Sequence, residues 1–213
     1  MERNFHKMVG FKGREKKKKI DVLVIGSSTG GPDALQKLLE PFPENFPIPV
    51  LIVQHMPANF TKRLADRLDS VVKIRIIEAK EGDSLENGTA YLAPGDYHMF
   101  LKGSFSEPVL SLNQDPPENS CRPAVDVLFR SVAALFGPRA LAVVLTGMGK
   151  DGLKGCEAIR NAGGYVMVQD KNTSIVWGMP GQVAQSGLAH KELPLKQLAA
   201  EILLKVSPVK ILT

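Results

Sequence analysis

The sequence predicts an α/β domain: a doubly wound, mainly parallel sheet flanked by helices, with a small antiparallel hairpin region. Three observations carry this reading. Ile20–Ile25, Val50–Gln54 and Leu141–Leu145 are short, almost continuous apolar runs, the pattern of strands buried on both faces. Each is followed by a polar turn, often with glycine, and then by a helix-like stretch. Between the second and third runs, four strand-like segments follow one another too closely for helices to intervene.

Met1–Lys19 carries eight basic residues against two acidic ones and has no apolar periodicity. It reads as a flexible tail or linker remnant, either a solvated charge run or a segment that docks another domain. Residues 20–213 read as one large domain. After the first strand, Pro32 suits the first turn of a helix reaching Glu40, because proline lacks only an N–H that has no partner there. Asn59–Leu68 places Phe60, Leu64, Ala65 and Leu68 at helical spacing after the second strand. Ile74–Ala79, Thr89–Ala93, His98–Lys102 and Pro108–Leu112 are the four closely spaced strands, expected as antiparallel hairpins. Asp115–Pro123 reads as a loop and Ala124–Phe136 as a helix. Gly152–Asn161 is a helix closed by Gly163-Gly164, Tyr165–Gln169 a further strand, and Pro194–Val206 a last helix.

Composition narrows the function classes. The 213 residues are 44% hydrophobic and 23% charged, ordinary for a globular protein of one large domain. The net charge of +5 belongs to the N-terminal segment, which leaves the remainder one charge negative. A broadly basic face for nucleic acid is therefore not expected. Cys121 and Cys156 lie 35 positions apart without a paired motif, so neither a disulfide framework nor a metal site is expected, and a reducing, cytoplasmic setting fits. No apolar run approaches the ~18 residues of a membrane span.

In open α/β sheets, ligands gather at the carboxyl ends of the parallel strands. The first strand ends in Gly26-Ser27-Ser28-Thr29-Gly30-Gly31, a match to G-x-S-x-G that presents Ser28 on a tight turn before a helix. The same glycine-rich turn also suits a plain connection or a phosphate cradle. The second strand ends in Gln54-His55-Met56-Pro57, where His55 is either a general base or a structural histidine. The third ends in Thr146-Gly147-Met148-Gly149-Lys150-Asp151-Gly152, where Asp151 orients that base or caps the next helix. Together they make a Ser28–His55–Asp151 triad. The rival reading is a nucleotide site, because Gly147 to Gly152 also spells G-x-G-x-x-G and Asp170 ends the next strand. Asp151 argues against it by setting a negative charge where a pyrophosphate would sit.

Ile25 to Pro32, Gln54 to Pro57, Arg122 to Phe129, Leu145 to Gly152, and Gly178-Met179-Pro180 are five ordered segments. Together they resemble those of the CheB family, the catalytic domains of chemotaxis receptor methylesterases, which implies that residues 20–213 are such a domain. The resemblance extends from Ile20 to about Val206. It implies hydrolysis of glutamyl methyl esters on chemoreceptor cytoplasmic helices, with release of methanol, and deamidation of receptor glutamines. It places the nucleophile at Ser28 and its partners at His55 and Asp151, with no metal or cofactor. Thr29 and Met148 are the candidate oxyanion donors, and His98, Arg122 and Trp177 are candidates to line a shallow, open cleft. The family usually adds an N-terminal receiver domain, which 19 residues are too few to form. A receptor-binding module that retains the triad without catalysis is the remaining alternative.

Overall fold

The computed structural model describes residues 19–206; the N-terminal segment other than Lys19, and residues 207–213, lie outside them. Nine strands and six α-helices alternate through the described residues. They run β1 (Val22–Ser27), α1 (Gly31–Leu39), β2 (Val50–Gln54), α2 (Thr61–Asp69), β3 (Arg75–Glu78), β4 (Thr89–Leu92), β5 (His98–Gly103) and β6 (Pro108–Asn113). The second half holds α3 (Val125–Phe136), β7 (Ala140–Val144), α4 (Leu153–Asn161), β8 (Tyr165–Gln169), α5 (Met179–Gln185), β9 (Lys191–Leu193) and α6 (Leu195–Val206).

Seven strands form one parallel sheet in the order β3-β4-β2-β1-β7-β8-β9, and β5 and β6 pair apart from it as an antiparallel hairpin. The continuous apolar runs have a simple cause. Successive side chains of a strand point to opposite faces, and both faces are covered. On one face Leu23 and Ile25 of β1 pack with Leu35 and Leu38 of α1, Leu68 of α2 and Ile202 of α6. On the other, Val22 and Val24 pack with Phe129 and Val132 of α3, Ile159 of α4, Val183 of α5 and the hairpin's Met99 and Leu101.

The chain fills the β2 side of β1 first and then crosses to β7 on the other side. This reversal of winding opens a crevice at the carboxyl ends of β1 and β7, where Ser28 and Asp151 follow their strands.

The central strands were expected as hairpins throughout; only β5 and β6 form one. β3 and β4 are parallel neighbours at the sheet edge, joined by residues 79–88 without a helix. So short a crossover succeeds because the hairpin supplies its hydrogen bonds. Gly82 N–H donates to the Leu110 carbonyl and Leu110 N–H to that of Asp83, both at 2.9 Å, and Glu81 accepts from Leu112 N–H at 2.5 Å. Helix α5 and strand β9 have no counterpart among the elements the sequence predicts; β9 is three residues at the far edge.

Helices α3 and α4 approach closely because residue 155 is glycine. A Cβ there would lie 2.5 Å from that of Phe129 and 3.2 Å from the Asp126 backbone. Phe129→Ala removes the fully buried ring that seals this contact. The expected cost is about 3–5 kcal/mol, read as a lowered urea midpoint at unchanged m-value. A cost below about 1 kcal/mol contradicts this account of the packing.

Candidate active site

Ser27 and Gln54 are register partners on the parallel strands β1 and β2, so Ser28 and His55 leave the sheet side by side. Gln54 ties the two exits together. Its side-chain amide donates to the carbonyls of Ser28 at 3.0 Å and His55 at 2.9 Å, and its Oε1 accepts the Ser27 hydroxyl at 2.7 Å. The two serines are thereby distinguished. Ser27 is fully buried and committed to Gln54, whereas Ser28 is half-buried at the rim.

Two close approaches fix the Ser28 turn. Gly30 adopts φ 79°, and a Cβ on it would come within 2.8 Å of Ile175. Gly147 lies against Ser28 from the β7 side; a Cβ on it would collide with Met179 Sδ and sit 2.8 Å from Ser28 Cβ. Ser28 N–H donates to the Thr146 carbonyl at 3.0 Å, and the Thr146 hydroxyl bonds the Thr29 carbonyl at 2.9 Å.

Asp151 is 2% exposed, and five donors meet its carboxylate. Oδ2 accepts His55 Nε2–H at 2.7 Å and Val125 N–H at 2.6 Å. Oδ1 accepts the N–H groups of Asp126 and Gly152 and the Asn119 amide, each at 3.0 Å. Burial works against this charge, but His55 and the N–H groups of Asp126 and Val125 overcome it and hold the carboxyl below the usual range. Burial also opposes the His55 cation. The bond to Asp151, and to a lesser degree the Cys121 sulfur, outweigh it, and the imidazole is pushed up to about 9.

Asp126 sits beside Asp151 on the first turn of α3 and accepts Gly155 N–H at 2.7 Å. Burial raises its carboxyl, the Gly155 bond lowers it, the Asp151 charge raises it, and the net direction is upward. Asn119 bridges the two carboxylates, donating to Asp126 at 2.9 Å and to Asp151 at 3.0 Å. It reaches them from a tight turn, with φ of 52° at Asn119 and 62° at Ser120, closed by paired backbone bonds between Glu118 and Cys121. The nucleotide-like motif therefore has its own carboxylates at the start of α4, on Gly152 and Gly155, where a phosphate would need those N–H groups.

The remaining residues singled out in the sequence divide into two groups. Thr29 and Met148 are exposed at the rim, and among the described residues their N–H groups donate to no protein acceptor. Trp177 is half-buried, its ring over Gly181 and its Nε1–H on the Gln169 carbonyl at 3.1 Å. His98 is buried, with Ala124 N–H donating to Nδ1 and Nε2 facing the Pro116 carbonyl, both at 3.2 Å. Arg122 forks onto Asp96 and the carbonyls of Gln114 and Asp115. These last two hold the 115–123 loop in place. Gln54, Asn119 and Cys121 were not anticipated as site residues; Cys121 Sγ meets His55 Nδ1 at 3.5 Å. An open groove of about 640 Å³, bordered by Asn119, Gly149, Lys150, Gly178 and Gln182, adjoins the cluster.

The sequence profile of the CheB methylesterase family matches residues 23–202. A protein-glutamate methylesterase/protein-glutamine glutaminase of Trichodesmium erythraeum is 55% identical over 188 residues, which cover 88% of this chain and 53% of that protein. One from Rhodospirillum rubrum is 52% identical over 185 residues, 86% of this chain and 48% of its own. The chain thus spans about half the length of the curated relatives it matches. The crystal structure of the Thermotoga maritima CheB methylesterase catalytic domain aligns with a TM-score of 0.85 at 41% identity, covering 88% of this chain and 99% of that one. Among the described residues, no helix is long and apolar enough to cross a membrane.

Gly147→Ala is expected to displace Ser28 and to slow its labelling by a fluorophosphonate serine reagent at least about tenfold, the effect of about 1.4 kcal/mol. Labelling at the wild-type rate would show that the close approach does not position the hydroxyl.

Proposed function

The chain belongs to the CheB methylesterase family, and on that premise we propose that it demethylates glutamyl methyl esters on chemoreceptor cytoplasmic helices and deamidates receptor glutamines. One observation carries the proposal: the 2.7 Å His55–Asp151 bond stands at the end of the strand beside the one that delivers Ser28. A buried carboxylate on one ring nitrogen fixes the tautomer and stabilises the cation that forms as the base takes a proton.

With Nε2 held by Asp151, Nδ1 is the nitrogen that receives the Ser28 proton. Ser28 Oγ attacks the side-chain ester carbonyl as His55 Nδ1 accepts that proton, and the carbonyl oxygen becomes an oxyanion. The N–H groups of Thr29 and Met148 are its proposed donors; removing one such donor from an acyl-transfer site typically costs about 10²–10³ in rate. Collapse returns the proton from the imidazolium to methoxide, and methanol leaves. Water, deprotonated by the same nitrogen, then attacks the glutamyl-enzyme and restores free Ser28 and a glutamate carboxylate. A glutamine substrate follows the same course with ammonia as the leaving group. The proposed substrate is a helix surface, which the open groove beside Asn119 and Lys150 suits better than an enclosed pocket would. A cytoplasmic setting follows from that substrate, and a receiver domain is the proposed regulatory partner, in keeping with the greater length of the relatives.

Methanol release from a methylated chemoreceptor fragment tests the proposal. Ser28→Ala is expected to abolish it, whereas Ser27→Ala retains it at a reduced level, because its buried hydroxyl serves only Gln54. Release that survives Ser28→Ala excludes this serine as the nucleophile. The pH dependence follows from the base, which must be neutral to accept a proton. With His55 at about 9, kcat/KM rises with pH across the neutral range and levels off above about 9. A plateau already reached by pH 7 contradicts the assignment of His55 as the base.

A further inference from the structure

Cys121 is a free, half-buried thiol that the hydrolytic cycle does not use, yet it stands on the nitrogen the cycle needs. Its sulfur lies 3.5 Å from His55 Nδ1. Among the described residues, His55, Cys121 and Asp151 are the one cluster of three metal-ligating side chains, with the nearest donor atoms all within 4.8 Å of one another. A tetrahedral zinc ion, with bonds of about 2.05 Å to nitrogen and 2.3 Å to sulfur, spans donors about 3.6 Å apart. The Sγ–Nδ1 pair already has that separation.

Asp151 bonds the opposite ring nitrogen, so one ion on Nδ1 does not also take this carboxylate. It fills the outer role instead, holding Nε2–H so that Nδ1 presents its lone pair, as carboxylates behind metal-bound histidines commonly do. Other thiols and imidazoles in the described residues are less suited. Cys156 is fully buried, and His98 and His190 each accept a backbone N–H at Nδ1.

We propose that His55 Nδ1 and Cys121 Sγ form a binding site for Zn²⁺ or a similar thiophilic divalent cation, and that occupancy switches the hydrolase off. Binding replaces the S–H and the S···N contact with metal–sulfur and metal–nitrogen bonds; the thiol proton, and the Nδ1 proton where His55 is the imidazolium, pass to solvent, and no electron is transferred. Water completes the coordination. The lone pair that must accept the Ser28 proton is then held by the metal. Affinity rises with pH because metal binding displaces protons from its ligands. The inhibitory half of the proposal rests on the function proposed above, and the binding half does not.

The test uses the 213-residue chain with Co²⁺ as a spectroscopic probe and Zn²⁺ as competitor. Intact protein and Ser28→Ala are expected to bind one Co²⁺ with a thiolate-to-metal absorption band that Zn²⁺ abolishes. Cys121→Ser loses the band and binds Zn²⁺ at least about tenfold more weakly by calorimetry; Cys121→Ala serves if the serine variant does not fold. Zn²⁺ lowers methanol release by the intact chain, a chelator restores it, and the Cys121 variant needs at least about tenfold more Zn²⁺ for the same loss. Absence of the band in Ser28→Ala, or equal Zn²⁺ affinity in the Cys121 variant, overturns the site. Equal sensitivity to Zn²⁺ with the band present overturns the switch. A band in Ser28→Ala together with no methanol release from the intact chain leaves the metal site standing and removes the esterase reading instead.

Discussion

A carboxylate almost sealed from water is costly unless donors replace the solvent it has lost, and the carboxyl edge of this sheet is organised around that requirement at Asp151. Its five donors come from four separate places: the β2 exit through His55, the 115–123 loop through Asn119, the start of α3 through Val125 and Asp126, and the start of α4 through Gly152. Such charge-assisted bonds are roughly twice as strong as neutral ones. One side chain therefore sets the relative positions of segments that are far apart in sequence. Taking away a single partner of such a buried pair typically costs about 3–5 kcal/mol, because the remaining charge is left uncompensated.

The second carboxylate extends the arrangement into the packing. Asp126 spans the close approach of α3 and α4 through Gly155 N–H, and Asn119 joins it to Asp151. Two acids so close would not both keep their protons at ordinary values; one is held low by its donors and the other is pushed up by burial and by its neighbour's charge. The member held low is the one facing the imidazole. Burial of the surrounding helices thus reaches the His55–Asp151 pair through hydrogen bonds rather than through apolar contact.

Much of this was legible in the residues themselves. The strands of the central sheet read as apolar runs because β1, β2 and β7 are covered on both faces, and the turns after them carried Ser28, His55 and Asp151 at one edge. The parallel pairing of β3 and β4 was not legible, because it depends on hydrogen bonds from a hairpin later in the chain. Lys191–Leu193 is too short and too polar to announce a strand; only pairing with β8 makes it one. His98 and Arg122 looked like cleft residues by type, and it is their backbone partners that assign them to the loop. Asn119 and Cys121 lie in a stretch without period, so no pattern could place them on the Asp151–His55 pair. Only the left-handed turn at Asn119 and Ser120 does that.

The account stands on a His55 cation stabilised by Asp151, and an NMR titration of the His55 imidazole in Ser28→Ala reports it without interference from turnover. Because the folded value lies above the unfolded 6.5, the pair contributes stability that is complete below that pH and is lost as pH rises through about 9. The midpoint is expected near 9 and should fall substantially when Asp151→Asn removes the partner charge. A midpoint at or below 6.5 in the Ser28→Ala protein, or one that Asp151→Asn leaves unmoved, would contradict the account.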